Sequence, residues 1–297
     1  KEMENLFDEK IKNHGKVSNS ENMKAKTLDM IHEIENKHME FLEIDQLERN
    51  ILNYNKEELF YKGIIEFDDG SYYNGTWNSN LKKHGYGFFL KSDGSKYGGT
   101  FVDDNVEGDG YFIHIKGNIY KGQFKNEQAN GNGEILHHEK DGYHYKGEFC
   151  NNKMHGQGVE NIPDETTYDG NFNMGEREAH GKMKFSDGSS YEGEFSKGEI
   201  NGVGTYKWRD GKIYEGEFKN NKINGKGKTT WSDGNYYEGE YKNDQREGHG
   251  THFVSEGERY FIGNWLNNLF HGQGMYKDNT VQYKGLWRLG KKIKTYN

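Results

Sequence analysis

"YEGEFSKGEINGVGTYKWRDGKIY", Tyr191 to Tyr214, contains one full period of the pattern that organises this chain. It opens on Tyr191-x-Gly193-x-Phe195 and passes through Gly202-x-Gly204. It continues with the larger residues Tyr206 and Trp208, then turns at Arg209-Asp210-Gly211 before the next tyrosine. In an extended strand alternate residues share a face, so Tyr191, Gly193 and Phe195 lie on one side and the intervening glutamates on the other. Glycine weakens a strand, and its recurrence needs a reason. The simplest is space: a missing side chain lets a neighbouring ring lie flat across the sheet.

The same register extends in both directions. Tyr-x-Gly-x-aromatic recurs from Tyr73-Gly75-Trp77 through Tyr97/Phe101, Tyr120/Phe124, Tyr145/Phe149, Tyr168/Phe172, Tyr191/Phe195, Tyr214/Phe218, Tyr237/Tyr241 and Phe261/Trp265 to Tyr283-Gly285-Trp287. Gly-x-Gly follows at Gly108/Gly110, Gly131/Gly133, Gly156/Gly158, Gly202/Gly204, Gly225/Gly227, Gly248/Gly250 and Gly272/Gly274. Each unit reads as a β-hairpin. Ser-Asp-Gly at Ser92–Gly94, Ser186–Gly188 and Ser232–Gly234 predicts a three-residue loop with glycine in the left-handed position. An odd-length loop is expected to keep the aromatic columns of both strands on one face, where a two-residue loop would flip one. At the opposite end, segments such as "KNNKING" supply Asn and Gly for the return.

In motif order the chain resembles the MORN repeat family (membrane occupation and recognition nexus) over about residues 59–297, with "HGQG" intact at His155–Gly158 and His271–Gly274. The resemblance implies a mainly β fold: an elongated single-layer antiparallel sheet of about ten hairpins, with one groove-like aromatic face. At ~4.8 Å per strand it would reach on the order of 100 Å. Tyr61 to Gly70 reads as the second strand of an incomplete leading unit. Ala179 replaces the first glycine of its pair, and the final unit stops after Gly290, leaving an edge near Tyr283–Trp287.

Composition agrees with a repeat array. Of 297 residues, 31% are hydrophobic and 14% aromatic, with 41 glycines, one proline and one cysteine. Disordered chains lack such regularly spaced aromatics, and a thick core would need more aliphatics. The net charge of −8 argues against nucleic acid and anionic membranes as partners. Cys150, the single thiol, fits a reducing compartment. With no apolar run long enough to span a membrane and no signal-like start, the expected location is intracellular.

Residues 1–58 lack the pattern and read as an extension. Over about residues 27–52, Ile31, Ile34, Phe41, Ile44, Leu47 and Ile51 recur at approximately helical spacing and predict an amphipathic helix. Its apolar side could cover the protein's own first repeats, a second copy, or another protein.

No motif for chemistry withstands its own requirements. Gly225-Lys226-Gly227-Lys228-Thr229 imitates a phosphate loop, but Lys222 stands where the first glycine is needed and a turn and strand follow. "DDNVEGDG", Asp103–Gly110, imitates a calcium loop whose twelfth position is His114. His84, His155 and His271 share their repeat position with Asn130, Asn201 and Asn224, which turn chemistry explains and zinc does not. No enzyme activity, metal or cofactor is expected.

Function is then expected from the aromatic face. Tyr97, Phe101, Tyr120, Phe124, Tyr145, Phe149, Tyr168, Phe172, Tyr191, Phe195, Tyr214, Phe218, Trp231, Tyr237, Tyr241 and Trp265 are candidate contacts for a partner helix or extended segment. A single layer should leave half of each ring uncovered. Long arrays with little else resemble cytoskeletal and ciliary scaffold proteins, including radial-spoke-head components, so an axonemal scaffold is the leading expectation. Phosphoinositide attachment and self-assembly into a homodimeric rod are the alternatives. Against the former, the polar face carries Glu192/Glu194, Glu215/Glu217 and Glu238/Glu240 beside Lys207, Lys226 and Lys228, a set suited to cross-strand pairing.

Overall fold

The computed structural model describes residues 15–17, 58–137, 142–255 and 259–296. The expected helix, with Ile31, Ile34, Phe41, Ile44, Leu47 and Ile51, lies outside the described residues. The described residues form strands joined by turns and short irregular connections, with no helix among them. The chain forms two compact units, residues 1–155 and 156–297. In the first, Gly15–Val17 pairs with Leu59–Phe67, and each later strand to Tyr143–Cys150 is antiparallel to its sequence neighbours. The second repeats this arrangement up to Lys291–Tyr296.

Register explains the glycines. Strand Ser190–Ser196 sets Tyr191 opposite Tyr206 and Gly193 opposite Gly204, and Gly204 in turn faces Gly216. Glycine therefore faces glycine from strand to strand, and the tyrosine ring lies across the row. A Cβ on Gly204 would come within 2.6 Å of Tyr191 Cζ and closer still to its hydroxyl. That hydroxyl donates to the Glu194 carbonyl at 3.0 Å, and Tyr97, Tyr120, Tyr145, Tyr168, Tyr214 and Tyr237 each reach the carbonyl three residues on.

Both turn types are present. Ser186–Gly188 is the expected three-residue loop: Phe185 N–H donates to Ser189 O, Gly188 N–H to Phe185 O, and Gly188 is left-handed at φ +89°. The return is a two-residue turn with both residues left-handed, as at Asn220 (φ 50°) and Asn221 (φ 63°). The odd-length loop keeps Met183 opposite Tyr191, as expected, while the even-length return joins columns of opposite parity and sets Phe195 opposite Ile200. A bulge then follows without changing the face: between Gly193↔Gly204 and Phe195↔Ile200, Glu194 alone faces Asn201, Gly202 and Val203. Two extra residues leave the alternation in phase. Gly202 takes φ +98° in the bulge, and the Glu194 carboxylate accepts the Val203 N–H at 2.8 Å.

Asn-Asn turns also join one hairpin to the next. Asn221 N–H donates to Ile200 O, while its side chain accepts the Ile200 N–H at 2.8 Å. Asn152 with Ala129, Asp244 with Ile223, and Asn268 with Arg246 repeat this two-way contact. The residue before the glycine pair makes a second tie. Asn201 accepts the Asn220 N–H at 3.0 Å, and His271 Nδ1 accepts that of Leu289 at 3.5 Å. Asn201 and His271 thus anchor turns, whereas the Nδ1 of His155, at the same repeat position, is buried without a hydrogen-bond partner among the described residues.

Two departures resolve differently. Ala179 adopts φ 56°, the strained bulge conformation of the glycine it replaces. Ala179→Gly is expected to stabilise the chain by up to about 1 kcal/mol, the relieved strain exceeding the added unfolded-state entropy. A urea midpoint that falls would overturn this. The expected edge at Tyr283–Trp287 is not one, because Lys291–Tyr296 pairs with it without a glycine pair of its own.

Candidate functional site

The aromatic face is an edge-to-face stack. Tyr191 meets Phe195 at 5.2 Å and 83°, and Phe218 of the next hairpin at 5.2 Å and 82°. Tyr214 likewise joins Phe218 to Tyr241, and Tyr237 joins Tyr241 to Trp265. The first unit carries the same zigzag from Trp77 through Tyr73, Phe101, Tyr97, Phe124 and Tyr120 to Phe149. Such contacts satisfy the ring quadrupoles and add to burial.

This geometry corrects the expectation of half-exposed rings. Tyr97, Phe101, Tyr120, Phe124, Tyr145, Phe149, Tyr168, Phe172, Tyr191, Phe195, Tyr214, Phe218, Tyr237, Tyr241 and Trp265 are all buried, none more than 8% exposed. With glycines beneath and neighbouring rings on both sides, one layer encloses its own core. Of the candidate contacts only Trp231 is half-exposed.

The accessible part of the face comes from the second strands. Phe89, Phe112 and Ile135 in the first unit, and Tyr206, Trp208, Trp231 and Tyr276 in the second, are half-exposed. The sequence signal for them was present in the larger residues after Gly-x-Gly. Phe89, Phe112 and Ile135 line one side of a groove of about 360 Å³ floored by Tyr97, Phe101, Tyr120 and Phe124, with Val106, Ala129, Asp104 and Glu127 also on its lining.

Cations sit on this face. Lys83 Nζ lies 4.4–5.9 Å from the rings of Phe67, Tyr73, Phe89 and Phe101, and burial pushes its pKa down. Arg177 is neutralised by Glu160 at 2.7 Å. Arg246 stacks on Trp265 at 4.4 Å and donates to Asn268 O. Cation–π attraction accounts for their tolerance among rings.

The remaining sequence candidates have structural roles. Gly225 to Thr229 lies in strand Lys222–Thr230, with Gly225 opposite Tyr241 and Gly227 opposite Gly239. Asp103 and Asp104 form a left-handed turn whose Asp104 carboxylate accepts the Lys83 N–H at 2.9 Å. Among the described residues no three His, Cys, Asp or Glu gather as a metal site. On the opposite face Lys182 meets Glu192 at 3.0 Å and Lys228 meets Glu238 at 3.9 Å, as cross-strand pairing predicts.

No curated protein matches the chain. Among solved structures it is similar to the SAS-4 (dCPAP) TCP domain of Drosophila melanogaster, in complex with a proline-rich motif of Ana2 (dSTIL). Identity there is 12% over 58% of this chain and 85% of that one, with TM-score 0.29. A streptogramin B lyase structure shows 11% identity over 76% and 80% of the two chains, with TM-score 0.15. At these scores neither likeness bears on function. The MORN repeat family matches residues 73–96, 120–136, 145–167, 168–190, 191–213, 214–236, 237–253 and 261–280. With repeats recognised over more than half its length, and with glycine rows, tyrosine ladder and Asp-Gly turns in register, the chain belongs to the MORN repeat family.

Proposed function

We propose that the chain is a non-catalytic protein-binding scaffold whose aromatic face holds a segment of a partner protein. The observation that carries this is that each unit has half-exposed aromatics, Phe89 and Phe112 in one and Tyr206, Trp208 and Trp231 in the other, set on its own buried ring stack. Rigidly supported rings with accessible area provide the anchors that dominate protein interfaces. The assembly we assign it to is cytoskeletal, in the ciliary axoneme, on the strength of the resemblance to long-array scaffold proteins.

A photo-crosslinking residue at Phe112 or Tyr206 is expected to capture a defined partner in cells. The same residue at Glu215, on the opposite face, is expected to capture none. Equal capture from Glu215 would refute the groove reading. A tagged chain absent from axonemes would remove the ciliary assignment.

A further inference from the structure

We propose that the half-exposed row of the second unit binds a proline-rich segment in the polyproline II conformation, lying across the strands. The proposal rests on the scaffold reading above and names the partner's chemistry.

Phe185, Trp208 and Trp231 hold the same place in three successive hairpins. Each is half-exposed and opens a three-residue loop, donating its N–H to Ser189, Lys212 and Asn235 O respectively. They share a face with the ring stack, because Met183, Tyr206 and Thr229, two residues before them, stand opposite Tyr191, Tyr214 and Tyr237; Phe185 lies 5.7 Å from Tyr206, and Tyr206 4.6 Å from Trp208. Successive members are two strand spacings apart, about 9.6 Å.

This step selects among regular conformations. Polyproline II has three residues per turn and advances about 9.3 Å, so every third residue returns to the same side at the next hairpin. An α-helix covers about 9.6 Å in roughly 6.4 residues, which turns its contact side away by about 80°. A β-strand covers it in about three residues, and its alternation points the third to the opposite side.

The chemistry of the row makes the same selection. The indole N–H groups of Trp208 and Trp231 have no hydrogen-bond partner among the described residues. Lys212 Nζ lies 3.8 Å from the Trp208 ring centroid. The Tyr206 hydroxyl is already engaged with Ser189 Oγ at 2.9 Å. The row therefore presents rings and donors. Polyproline II offers the complement: its carbonyls are unbonded, its pyrrolidine rings are apolar, and proline has no N–H needing an acceptor. Its limited unfolded freedom also reduces the ordering cost of binding.

The test uses the full chain and a fluorescein-labelled peptide of four Pro-Pro-Ala triplets, read by fluorescence anisotropy. A peptide of the same composition with its alanines grouped serves as comparison. Saturable binding below about 1 mM is expected for the triplet peptide, weaker by about tenfold or more for the grouped one. Trp231→Ala and Trp208→Leu, the latter leaving an aliphatic side chain without the ring or the indole N–H, are each expected to weaken it about tenfold. Glu215→Ala should leave it unchanged. Circular dichroism confirms the sheet in every variant. No saturable binding, equal binding of both peptides, or binding that survives both tryptophan substitutions in folded protein overturns the proposal. If the peptide fails while Tyr206 still crosslinks a partner, the proline-rich reading falls and the scaffold reading stands.

Discussion

Gly204→Ala is expected to cost about 2–4 kcal/mol, although Gly204 has an ordinary extended backbone that alanine can adopt. The cause is space. The new methyl would occupy the volume of the Tyr191 ring, which must tilt and give up its hydrogen bond to Glu194 O. Gly198 provides the comparison, because it is left-handed at φ +80° with nothing within 4 Å of a Cβ. Gly198→Ala should cost only the conformational strain, about 1–2 kcal/mol. A double-mutant cycle separates the two. In a Tyr191→Ala background Gly204→Ala should be close to neutral, giving a coupling of about 2 kcal/mol, whereas Gly198→Ala should be additive. Additivity of Gly204→Ala with Tyr191→Ala in urea unfolding would show that the ring does not need the glycine. Because repeat arrays are held by nearest neighbours, hydrogen exchange in the single variant should open strands Ser190–Ser196 and Glu199–Lys207 first.

Alkaline unfolding is the second large effect. Burial pushes Tyr168 and Tyr241 up to about 12 and also raises Tyr73, Tyr97, Tyr120, Tyr191, Tyr214 and Tyr237. The unfolded chain ionises these groups near pH 10, while the folded chain keeps them protonated. The stability they contribute is complete below about pH 10 and is lost as pH rises through the folded values. Unfolding then releases protons, so stability falls by about 1.4 kcal/mol per pH unit for each tyrosine ionised only in the unfolded state. With eight such side chains the sheet should unfold in a narrow interval above about pH 10, and tyrosinate absorbance should rise together with loss of the β-sheet circular dichroism. Ionisation of these tyrosines near pH 10 with the sheet intact would contradict their burial. Replacing Tyr191 by Phe should make the loss of stability with pH less steep.

Sequence periodicity read the strands, the Asp-Gly loops and the tyrosine-over-glycine arrangement correctly because each is local: a period of two, a left-handed loop residue, a ring above a missing side chain. The bulge at Glu194 opposite Asn201–Val203 was not legible, since Gly202 looks like any other strand glycine until register is known. Nor was the lateral grip of Asn221 on Ile200, which lies one hairpin away. The largest difference concerns the candidate contacts. Phe195, Phe218 and Tyr241 were expected to face a partner, yet each is wedged between tyrosines of two hairpins. Counting layers predicted exposed rings; only three-dimensional stacking shows how one layer covers them.

Spacing along the backbone was enough to place the repeat strands and the Asp-Gly loops and to assign the family, but not the closing strand Lys291–Tyr296, which carries no repeat signal. Which aromatics are core and which are surface follows from the fold alone. That choice depends on cross-strand neighbours: Tyr191 is enclosed by Gly193, Gly204, Phe195 and Phe218, while Trp208 and Trp231, at the loop ends of their hairpins, lack such enclosure and keep part of their rings exposed.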